Sequence, residues 1–339
     1  MEAAKARCKE LFPEWRDLPD DSLSLLRLPG TSNTVYLVET SHPVSTRKLV
    51  YRIFGAADIV DIARERQVFD RLSELGFGPH SFGCTARDRV EEYINGRPLE
   101  RMELRDPRMV LLICQALRSL HEQNLKDLVD CEHITTVDNA KVWRDMALAK
   151  LGSLEIRAEE KSDIEELLGE EMLAQWLDLM PFWAPKAFLH HDCNRLNFLY
   201  VQSADQIRLI DYEYAGYGFR GMDLGCTINE LMYEYTTPTP PYWSYFPEAL
   251  YDESLLTYYV QAYGGDAALW AETRMCLICG HYFWAVWSVA MAKVPREGFD
   301  YIKYAILRLN DFRREAKTVQ EMGGLQEVRR RAEAAMTRT

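Results

Sequence analysis

The sequence is poor in cysteine, in net positive charge and in long uncharged segments. Eight cysteines in 339 residues are too few for a disulfide scaffold, and the opening stretch MEAAKARCKELFPEW lacks the apolar core of a secretory signal. Lys and Arg number 40 against 52 Asp and Glu, for a formal charge of -12. An acidic surface repels phosphate backbones, which disfavours a nucleic-acid partner. We therefore expect a cytoplasmic protein with reduced thiols.

The longest run without Asp, Glu, Lys or Arg covers residues 275–292, which is at the lower limit for a membrane-spanning helix. Its two tryptophans, Trp284 and Trp287, lie near its middle, whereas tryptophan in a spanning helix prefers the membrane interface. The run therefore predicts a buried helix and no transmembrane segment. Cys276 and Cys279 in this run have CxxC spacing, but without a second pair they indicate core packing rather than a metal or redox site.

Hydrophobic periodicity predicts an α+β chain with two lobes. Strand patterns fill residues 23–54 (LSLLRL, TVYLVET and KLVYRIF), and one apolar stripe then predicts a helix over 57–75. Short strands follow around 80–94, and the rest is mainly helical apart from short strands within 186–214. We expect a small β-rich N-terminal lobe over 1–96 and a larger, mainly helical C-terminal lobe over 97–339.

Two further segments of the second lobe have a clear local signal. Residues 106–124 form an amphipathic pattern with Asp106 as the candidate N-cap and Pro107 in the first turn. Residues 155–171 hold eight acidic and two basic side chains, and such a charge run is typical of a solvated helical surface.

The strongest chemical signal lies in FLHHDCNRLNFLYV and the following IRLIDYEYAG. Asp192 and Asn197 are five residues apart in a loop before a strand, and Asp211 ends the next strand. Phosphoryl transfer from ATP needs a carboxylate that orients and deprotonates a hydroxyl, together with oxygen ligands for magnesium. Asp192 suits the role of base, and Asn197 and Asp211 suit the metal.

These segments resemble the choline/ethanolamine kinase family, a branch of the eukaryotic-protein-kinase-like superfamily. The first contains the Brenner motif, HxDxxxxN, and the second matches the pattern IDxEYxxYxxRGxDxG through Ile210, Asp211, Glu213, Tyr214, Tyr217, Arg220, Gly221, Asp223 and Gly225. The resemblance runs from about residue 23 to about residue 315. It implies a protein-kinase-like two-lobe fold, a homodimer, and ATP- and Mg²⁺-dependent phosphorylation of choline or ethanolamine. Phosphocholine would be the first product on the way to phosphatidylcholine.

The resemblance also implies the residues that bind the nucleotide and metal. They are Gly30, Ser32 and Asn33 in the loop PGTSNT, Arg52 with Glu65 as its ion-pair partner, Tyr93, Ile94 and Arg97 in the adenine-contacting hinge, and Asn194. Glu213 either joins the metal ligands or orients its neighbours. The Brenner loop departs from the family at Asn194, where Gln is common, and at Arg195-Leu196, where Glu-Gly is usual. These departures affect the adenine and phosphate side rather than the Asp–Asn pair.

The acceptor pocket is argued from aromatic residues, because a quaternary ammonium is held over aromatic faces beside a carboxylate. The residues at the family's choline-pocket positions are Glu230, Tyr235, Trp284, Trp287, Phe299 and Tyr304. The alternative is that the two tryptophans are ordinary core. Choline is expected first, with ethanolamine accepted, although Asn229 and the segment FDYIKYAILRLN lean towards ethanolamine kinases.

Other functions stay open at this point. A catalytically silent member of the family would have lost one of the three phosphoryl-transfer residues, which are intact. A protein kinase would show Phe-Gly after Asp211 and a later APE segment, and neither is present. An antibiotic phosphotransferase would favour an acidic pocket over paired tryptophans.

Overall fold

The structure is a computed structural model, and it describes residues 2–28, 33–55, 59–235, 237–249, 252–296 and 298–337. The chain forms two compact units. The first unit contains Met1–Arg97 together with Leu199–Tyr214, and the second contains Pro98–Phe198 and Ala215–Thr339. The lobe boundary predicted from the sequence puts the segment 199–214 in the C-terminal lobe. It packs in the first unit instead, where the Arg208 guanidinium and the Tyr212 hydroxyl donate to the carbonyls of Gly78 and Phe77.

The regular elements of the first unit are mostly strands, and those of the second unit are mostly helices. The strands are β1 (Leu23–Leu28), β2 (Thr34–Thr40), β3 (Lys48–Ile53), β4 (Ser81–Cys84), β5 (Asp88–Glu92), β6 (Arg97–Pro98), β7 (Lys186–Leu189), β8 (Phe198–Val201), β9 (Gln206–Leu209), β10 (Gly216–Phe219), β11 (Tyr233–Glu234) and β12 (Ser244–Tyr245). The helices are α1 (Glu2–Leu11), α2 (Ile62–Glu74), α3 (Pro107–His121), α4 (Thr135–Lys150), α5 (Lys161–Leu167), α6 (Glu170–Leu179), α7 (Gly221–Asn229), α8 (Glu253–Tyr263), α9 (Ala267–Met291), α10 (Tyr301–Met322) and α11 (Gly324–Thr337).

The first unit is built on a five-stranded antiparallel sheet of order β1-β2-β3-β5-β4. Helix α1 packs on this sheet through Ala4 and Cys8, which belong to its buried core. The register of β3 on β5 places Arg52 directly opposite Arg89. Two like charges side by side are destabilising unless acidic groups separate them, and this pairing shapes the site described below.

Helix α2 begins later than its apolar stripe predicts. The stripe suggested a start near 57, but α2 begins at Ile62 because the Asp61 side chain caps it by accepting from the Arg64 amide at 3.1 Å. Ile59 therefore precedes the helix, and Leu75 follows it with 48% of its surface exposed.

The second unit is organised around α9, a 25-residue helix that packs against α4, α7 and α10. Helices α7 and α9 approach so closely that a Cβ on Gly221 would lie 2.8 Å from the Thr273 backbone, and one on Gly225 would lie 2.9 Å from the Leu277 nitrogen. Real side chains do not tolerate such distances, so both glycines of the RGxDxG segment are required by helix packing. Most residues of α9 are buried, so the buried helix predicted over residues 275–292 is confirmed.

Most local predictions for the second unit hold. Asp106 caps α3 by accepting from the amides of Arg108 and Met109. Cys276 and Cys279 are buried free thiols of the core. No helix in the described ranges is long and apolar enough to cross a membrane.

The acidic run 155–171 is only partly the solvated surface that its composition predicted. It carries helix α5 and the start of α6, and Glu160 is buried with 7% exposure. Arg296 and Arg313, which lie outside the run, bind its carboxylates. The prediction was wrong for Glu160, because Arg296, which is distant in sequence, neutralises it in a buried position.

Candidate active site

The loop 190–197, which follows β7, carries the Asp–Asn pair. Its first residues are held by Asp223 of α7, whose two carboxylate oxygens accept from the amides of His190 and His191, both at 2.8 Å. His191 has φ 66°, a left-handed conformation that is costly for a residue with a side chain. The Asp223 carboxylate therefore stabilises a bend that places the following residues.

Asp223 is itself fixed by a buried network. Its Oδ2 lies 3.0 Å from Nε2 of His121, whose Nδ1 lies 2.9 Å from the Tyr263 hydroxyl. Burial acts to raise the pKa of Asp223, but the hydrogen bond with His121 and the neighbouring imidazoles outweigh it, so this pKa is lowered. Asp223 thus stays charged as the acceptor for two backbone amides.

Two amide side chains orient the Asp192 carboxylate. Asn194 donates to Oδ1 at 3.1 Å, and Asn197 donates to Oδ2 at 2.9 Å. The same Asn197 nitrogen also donates to the Asp192 carbonyl at 3.0 Å. Because Asn197 uses its nitrogen on Asp192, its amide oxygen is the atom left for a cation. Asp192 and Asn197, which are five residues apart in the sequence, are therefore hydrogen-bonded to each other within one loop of the second unit.

The unusual Arg195 of this loop is structural. It is buried with 6% exposure, donates to the Leu99 carbonyl at 3.0 Å and forms an ion pair with Glu234. The Leu99 amide in turn donates to the Arg195 carbonyl. Arg195 thus ties the Asp192 loop to the start of the second unit and to β11.

In the first unit, Arg52 binds two carboxylates. Its Nε donates to Glu91 at 2.9 Å and its Nη1 donates to Asp211 at 2.8 Å. Burial acts to lower the pKa of Arg52, but the charges of Asp211 and Glu91 reverse this and raise it. Asp211 follows β9 with φ 69°, so this predicted functional residue, like His191, has a strained backbone.

The predicted ion pair between Arg52 and Glu65 is corrected. Glu65 is bound by Arg89, at 2.8 and 3.1 Å from its two oxygens, while Arg52 takes Glu91 and Asp211. The Arg89 guanidinium is fully buried and lies 3.4 Å from the centre of the Phe69 ring on α2. The cause is the register of β3 on β5, which sets Arg52 and Arg89 opposite each other, so each guanidinium needs its own carboxylate. Arg89 packs on Phe69 of α2 and binds Glu65 of the same helix. Burial outweighs the attraction of Arg89 and raises the pKa of Glu65.

The predicted phosphate loop is described only in part. Gly30 and Ser32 lie outside the described residues. Asn33 donates to Glu213 at 2.9 Å and accepts from the Gly55 amide at 3.2 Å. Asn33 and Glu213 also line a cavity of about 250 Å³ together with Phe54, Val60, Ile62 and Glu65.

Of the predicted hinge residues, Tyr93 and Ile94 lie between β5 and β6, and Arg97 is the first residue of β6. Ile94 is buried, and its carbonyl accepts from the Gly96 amide at 2.8 Å in a tight turn. Tyr93 is half-buried with the Lys48 ammonium 5.1 Å from its ring centre, and the exposed Arg97 lies 5.4 Å from the ring centre of Tyr200. A Cβ on Gly96 would lie 3.2 Å from the Tyr200 carbonyl, so the chain passes close to β8 here.

In the second unit, four of the predicted acceptor residues form one cluster. The Tyr235 hydroxyl donates to Glu230 at 2.9 Å and lies 2.9 Å from the Tyr304 hydroxyl. Phe299 completes it, at 5.4 Å from Tyr304 and 6.5 Å from Tyr235 between ring centres. Arg308, one helical turn after Tyr304, donates to the Tyr304 hydroxyl at 2.6 Å. The cluster therefore combines aromatic faces with a carboxylate and its counter-charge.

Glu230 is the electrostatic centre of this cluster. Burial raises its pKa to about 7, against the lowering effect of Arg308 and of the Tyr235 hydrogen bond. Among the described residues its Oε2 has no hydrogen-bond partner, although the residue is only 5% exposed. A buried carboxylate oxygen without a partner is costly, and a cation would satisfy it.

The two tryptophans lie at the C-terminal end of α9 and touch the cluster through Tyr301. Trp284 and Trp287 are 5.3 Å apart between ring centres in an edge-to-face arrangement. Trp287 lies 5.8 Å from Tyr301, which lies 4.8 Å from Phe299. Trp284 is half-buried and also packs on Trp143 and Phe283. The tryptophans thus belong to the hydrophobic core, and they also extend the series of ring contacts that runs through Tyr301 to Phe299.

Sequence reasoning missed several residues of the site, namely Tyr301, Arg308, Trp243, Arg89 and Glu91. Arg308 and Tyr301 had a usable signal, because both lie within one turn of Tyr304 on α10. Trp243, 5.7 Å from Tyr304 between ring centres, lies in the Pro- and aromatic-rich segment 236–247, whose composition predicts a loop and not a site.

The predicted metal ligands are of the chemical type that magnesium prefers. Magnesium prefers oxygen ligands and is commonly held by one or two carboxylates plus substrate phosphates and water. Asp211, Glu213 and the amide oxygen of Asn197 are donors of this type. Within the described ranges no group of three or more His, Cys, Asp or Glu side chains could hold a metal ion.

The architecture is the protein-kinase-like fold, and a solved choline kinase from Cryptosporidium parvum superposes with a TM-score of 0.79 at 21% identity, covering 95% of this chain and 97% of that one. This likeness shows the fold of the chain. In sequence it is 27% identical to a probable ethanolamine kinase from Arabidopsis thaliana, covering 91% of this chain and 83% of that protein. It is 24% identical to a choline/ethanolamine kinase from Homo sapiens, with 88% and 82% covered.

Residues 27–313 match the choline/ethanolamine kinase family. The chain belongs to this family, which is an ATP-using kinase family. The resemblance inferred from the Brenner loop and the second motif is thus confirmed, and over nearly the same span.

Proposed function

We propose that this enzyme transfers the γ-phosphoryl group of ATP to the hydroxyl of choline, and that it also accepts ethanolamine. The hydroxyl oxygen attacks the γ-phosphorus in line, and the bond from that phosphorus to the bridging oxygen of ADP breaks. The hydroxyl proton passes to the Asp192 carboxylate. The products are the phosphorylated amino alcohol and ADP.

The observation that carries the choice of acceptor is the Glu230 cluster. Its buried carboxylate has one oxygen without a hydrogen-bond partner among the described residues, and the rings of Tyr235, Tyr304 and Phe299 border it. A trimethylammonium group cannot donate N–H bonds, so it needs ring faces and a nearby negative charge, each ring contributing about 0.5–2 kcal/mol. Such a cluster suits a small cation better than a neutral alcohol.

On the phosphate side we assign roles to this chain's own residues. Asp192, oriented by Asn194 and Asn197, positions and deprotonates the acceptor hydroxyl. Arg52 offers a guanidinium that can bind phosphate oxygens. The proposed magnesium ligands are Asn197, Asp211 and Glu213, and magnesium, when bound, would neutralise phosphate charge. The remaining nucleotide contacts are proposed for Gly30, Ser32, Asn33, Tyr93, Ile94 and Arg97. Glu65, bound to Arg89, would act by holding α2 against the sheet.

An ethanolamine-specific kinase is the second candidate, and one observation favours it. The unpartnered Oε2 of Glu230 could accept a hydrogen bond from a primary ammonium, which choline cannot donate. The first relative named above is a probable ethanolamine kinase. Steady-state kinetics with both amino alcohols at fixed Mg-ATP would separate the two, because their kcat/KM ratio is the preference itself.

The Asp192→Asn variant tests the mechanism. A positioned base contributes about 10²–10⁴-fold to turnover, so kcat should fall by that factor while nucleotide binding, measured by titration calorimetry, persists. The matched control is Asp205→Asn, an exposed aspartate in the β8–β9 turn, which should leave kcat unchanged. Turnover of Asp192→Asn within a few-fold of the parent, in a protein with an unchanged melting temperature, would end the assignment of Asp192 as base.

A further inference from the structure

The loop between α9 and α10, residues 292–300 with Glu297 outside the described residues, carries Phe299 of the acceptor cluster and is anchored at both ends. At its start, Lys150 of α4 donates to the carbonyls of Ala290 and Ala292. At its end, Asp300 caps α10 by accepting from the Lys303 amide at 3.1 Å. Between these anchors, a set of polar contacts ties the loop to the acidic segment 155–171.

Arg296 makes that set of contacts. Its guanidinium binds both oxygens of Glu160, at 2.7 and 2.9 Å, and donates to Asp300 at 2.6 and 2.9 Å. Its backbone amide and Nη1 contact the side chain and carbonyl of Glu155, at 3.2 and 3.4 Å. One arginine thus ties the loop to the acidic segment 155–171 and to the first turn of α10.

The contacts between Arg296 and Glu160 are buried and well oriented, which makes them stronger than a surface ion pair. The side chains of Arg296 and Glu160 are only 13% and 9% exposed, so solvent screens them less than a surface pair. A planar guanidinium that binds a carboxylate through two parallel bonds fixes direction as well as distance. The Glu160 carboxylate also accepts from the Arg157 amide at 3.0 Å, so its own position is set by the acidic segment.

Phe299 lies three residues after Arg296 and meets the cluster on several sides. Its ring centre is 4.8 Å from Tyr301, 5.4 Å from Tyr304 and 6.4 Å from Trp243. The half-buried Phe299 lines a pocket together with Arg296 and Glu155. A shift of the Arg296 backbone would therefore change the Phe299 ring position.

We propose that Arg296 is a positioning residue for the acceptor pocket, which holds Phe299 in place by linking the loop 292–300 to Glu160. Through this link the acidic segment determines how strongly the enzyme prefers a quaternary ammonium over a primary ammonium. The inference rests on the proposed function, because it concerns the pocket assigned there to the amino alcohol. Phe299 offers a ring face, which choline needs more than ethanolamine does, so a displaced Phe299 lowers the preference for choline.

The test compares Arg296→Gln with Arg313→Gln. Arg313 binds Asp163 at 2.8 Å and Glu166 at 3.0 Å in the same acidic segment, but from α10 and not from the loop. For Arg296→Gln we expect KM for choline to rise on the order of 5-fold, with smaller changes in KM for ethanolamine and none in KM for ATP. Arg313→Gln should change none of these. Equal effects of the two variants, or equal rises for choline and ATP, would overturn the proposal.

A double-mutant cycle separates positioning from general destabilisation. If Arg296 acts through Phe299, Arg296→Gln adds no further rise in KM for choline once Phe299→Ala is present. Additive effects would contradict the proposal. Glu160→Gln, which keeps the arginine and removes the charge that orients it, should reproduce the choline effect and serves if Arg296→Gln does not fold.

A measurement that needs no substrate keeps this inference apart from the proposed function. Hydrogen exchange of residues 292–300 should become faster in Arg296→Gln but not in Arg313→Gln. If the parent phosphorylates neither amino alcohol, the proposed function has failed, and the exchange rates still decide whether Arg296 holds the loop. Unchanged exchange in Arg296→Gln would overturn the proposal whatever the kinetics show.

Discussion

Glu230 should give the acceptor pocket a visible pH dependence. Its carboxyl is buried, its pKa is raised to about 7 chiefly by burial, and Arg308, Tyr235 and Arg195 oppose that rise. A protonated Glu230 carries no charge to attract a quaternary ammonium. Choline binding is therefore expected to improve as the pH rises through about 7, and choline itself has no ammonium proton that could titrate.

The size of the effect follows from the ionised fraction. One pH unit below its pKa a carboxyl is about one-tenth ionised, and one unit above it is about nine-tenths ionised. If only the ionised form binds choline, apparent affinity scales with that fraction. The value of kcat/KM for choline should then rise about tenfold between roughly pH 6 and pH 8.

The assay measures initial rates at saturating Mg-ATP and constant ionic strength. The pH dependence of kcat/KM then reports the pKa values of the enzyme form that binds choline. The matched control is Glu230→Gln, which mimics the protonated carboxyl. Its kcat/KM for choline should be flat over this range and close to the low-pH value of the parent. If the variant keeps the same pH profile as the parent, another group titrates and the reasoning about Glu230 is refuted.

The same raised pKa affects folding in the opposite sense. Between the unperturbed value of 4.5 and about 7, the folded protein keeps a proton that the unfolded chain has released. Stability contributed by Glu230 is therefore present below pH 4.5 and is lost as the pH rises to about 7. Bound choline should offset this loss, because the cation stabilises the charged form.

Three further predictions concern the other parts of the site. Asp211→Ala should need far more Mg²⁺ for activity, or not recover at all, and an unchanged Mg²⁺ titration would reassign Asp211 to a structural role. Trp287→Ala should raise KM for choline by roughly 5- to 30-fold and KM for ethanolamine less; equal rises together with a lowered melting temperature would make Trp287 ordinary core. Arg89→Ala leaves Glu65 without its direct partner in a buried site and should cost about 3–5 kcal/mol in urea unfolding, whereas Arg71→Ala, which loses a surface pair with Glu74, should cost under about 1 kcal/mol. A similar small loss for Arg89→Ala would show that water reaches Glu65.

The parts of the site that are local in sequence were predictable. Asp192 and Asn197 contact each other because they are only five residues apart in one loop. Tyr235 and Glu230 are also five residues apart in the sequence. The Arg89–Glu65 pair was not predictable, because it depends on the register that sets Arg52 opposite Arg89. No pattern within a single strand contains that information.

The same distinction explains the errors in the fold. Ile59 fits the apolar stripe of α2, but the cap at Asp61 decides where that helix begins. Residues 199–214 follow the catalytic loop in sequence, yet their contacts with Phe77 and Gly78 place them in the first unit. Charge composition alone could not show that Glu160 is buried, because its partner Arg296 lies far along the chain.

Helix α9 has a consequence for how the acceptor preference can evolve. Its first half packs on Gly221 and Gly225 beside the Asp223 network, and its last turns carry Trp284 and Trp287. Inserting or deleting one residue between these parts would rotate the tryptophans by about 100° relative to α7. Natural variation in α9 should therefore consist of substitutions at constant length. Changes of length that alter the acceptor should occur instead in the loop 292–300, where no helical phase must be preserved.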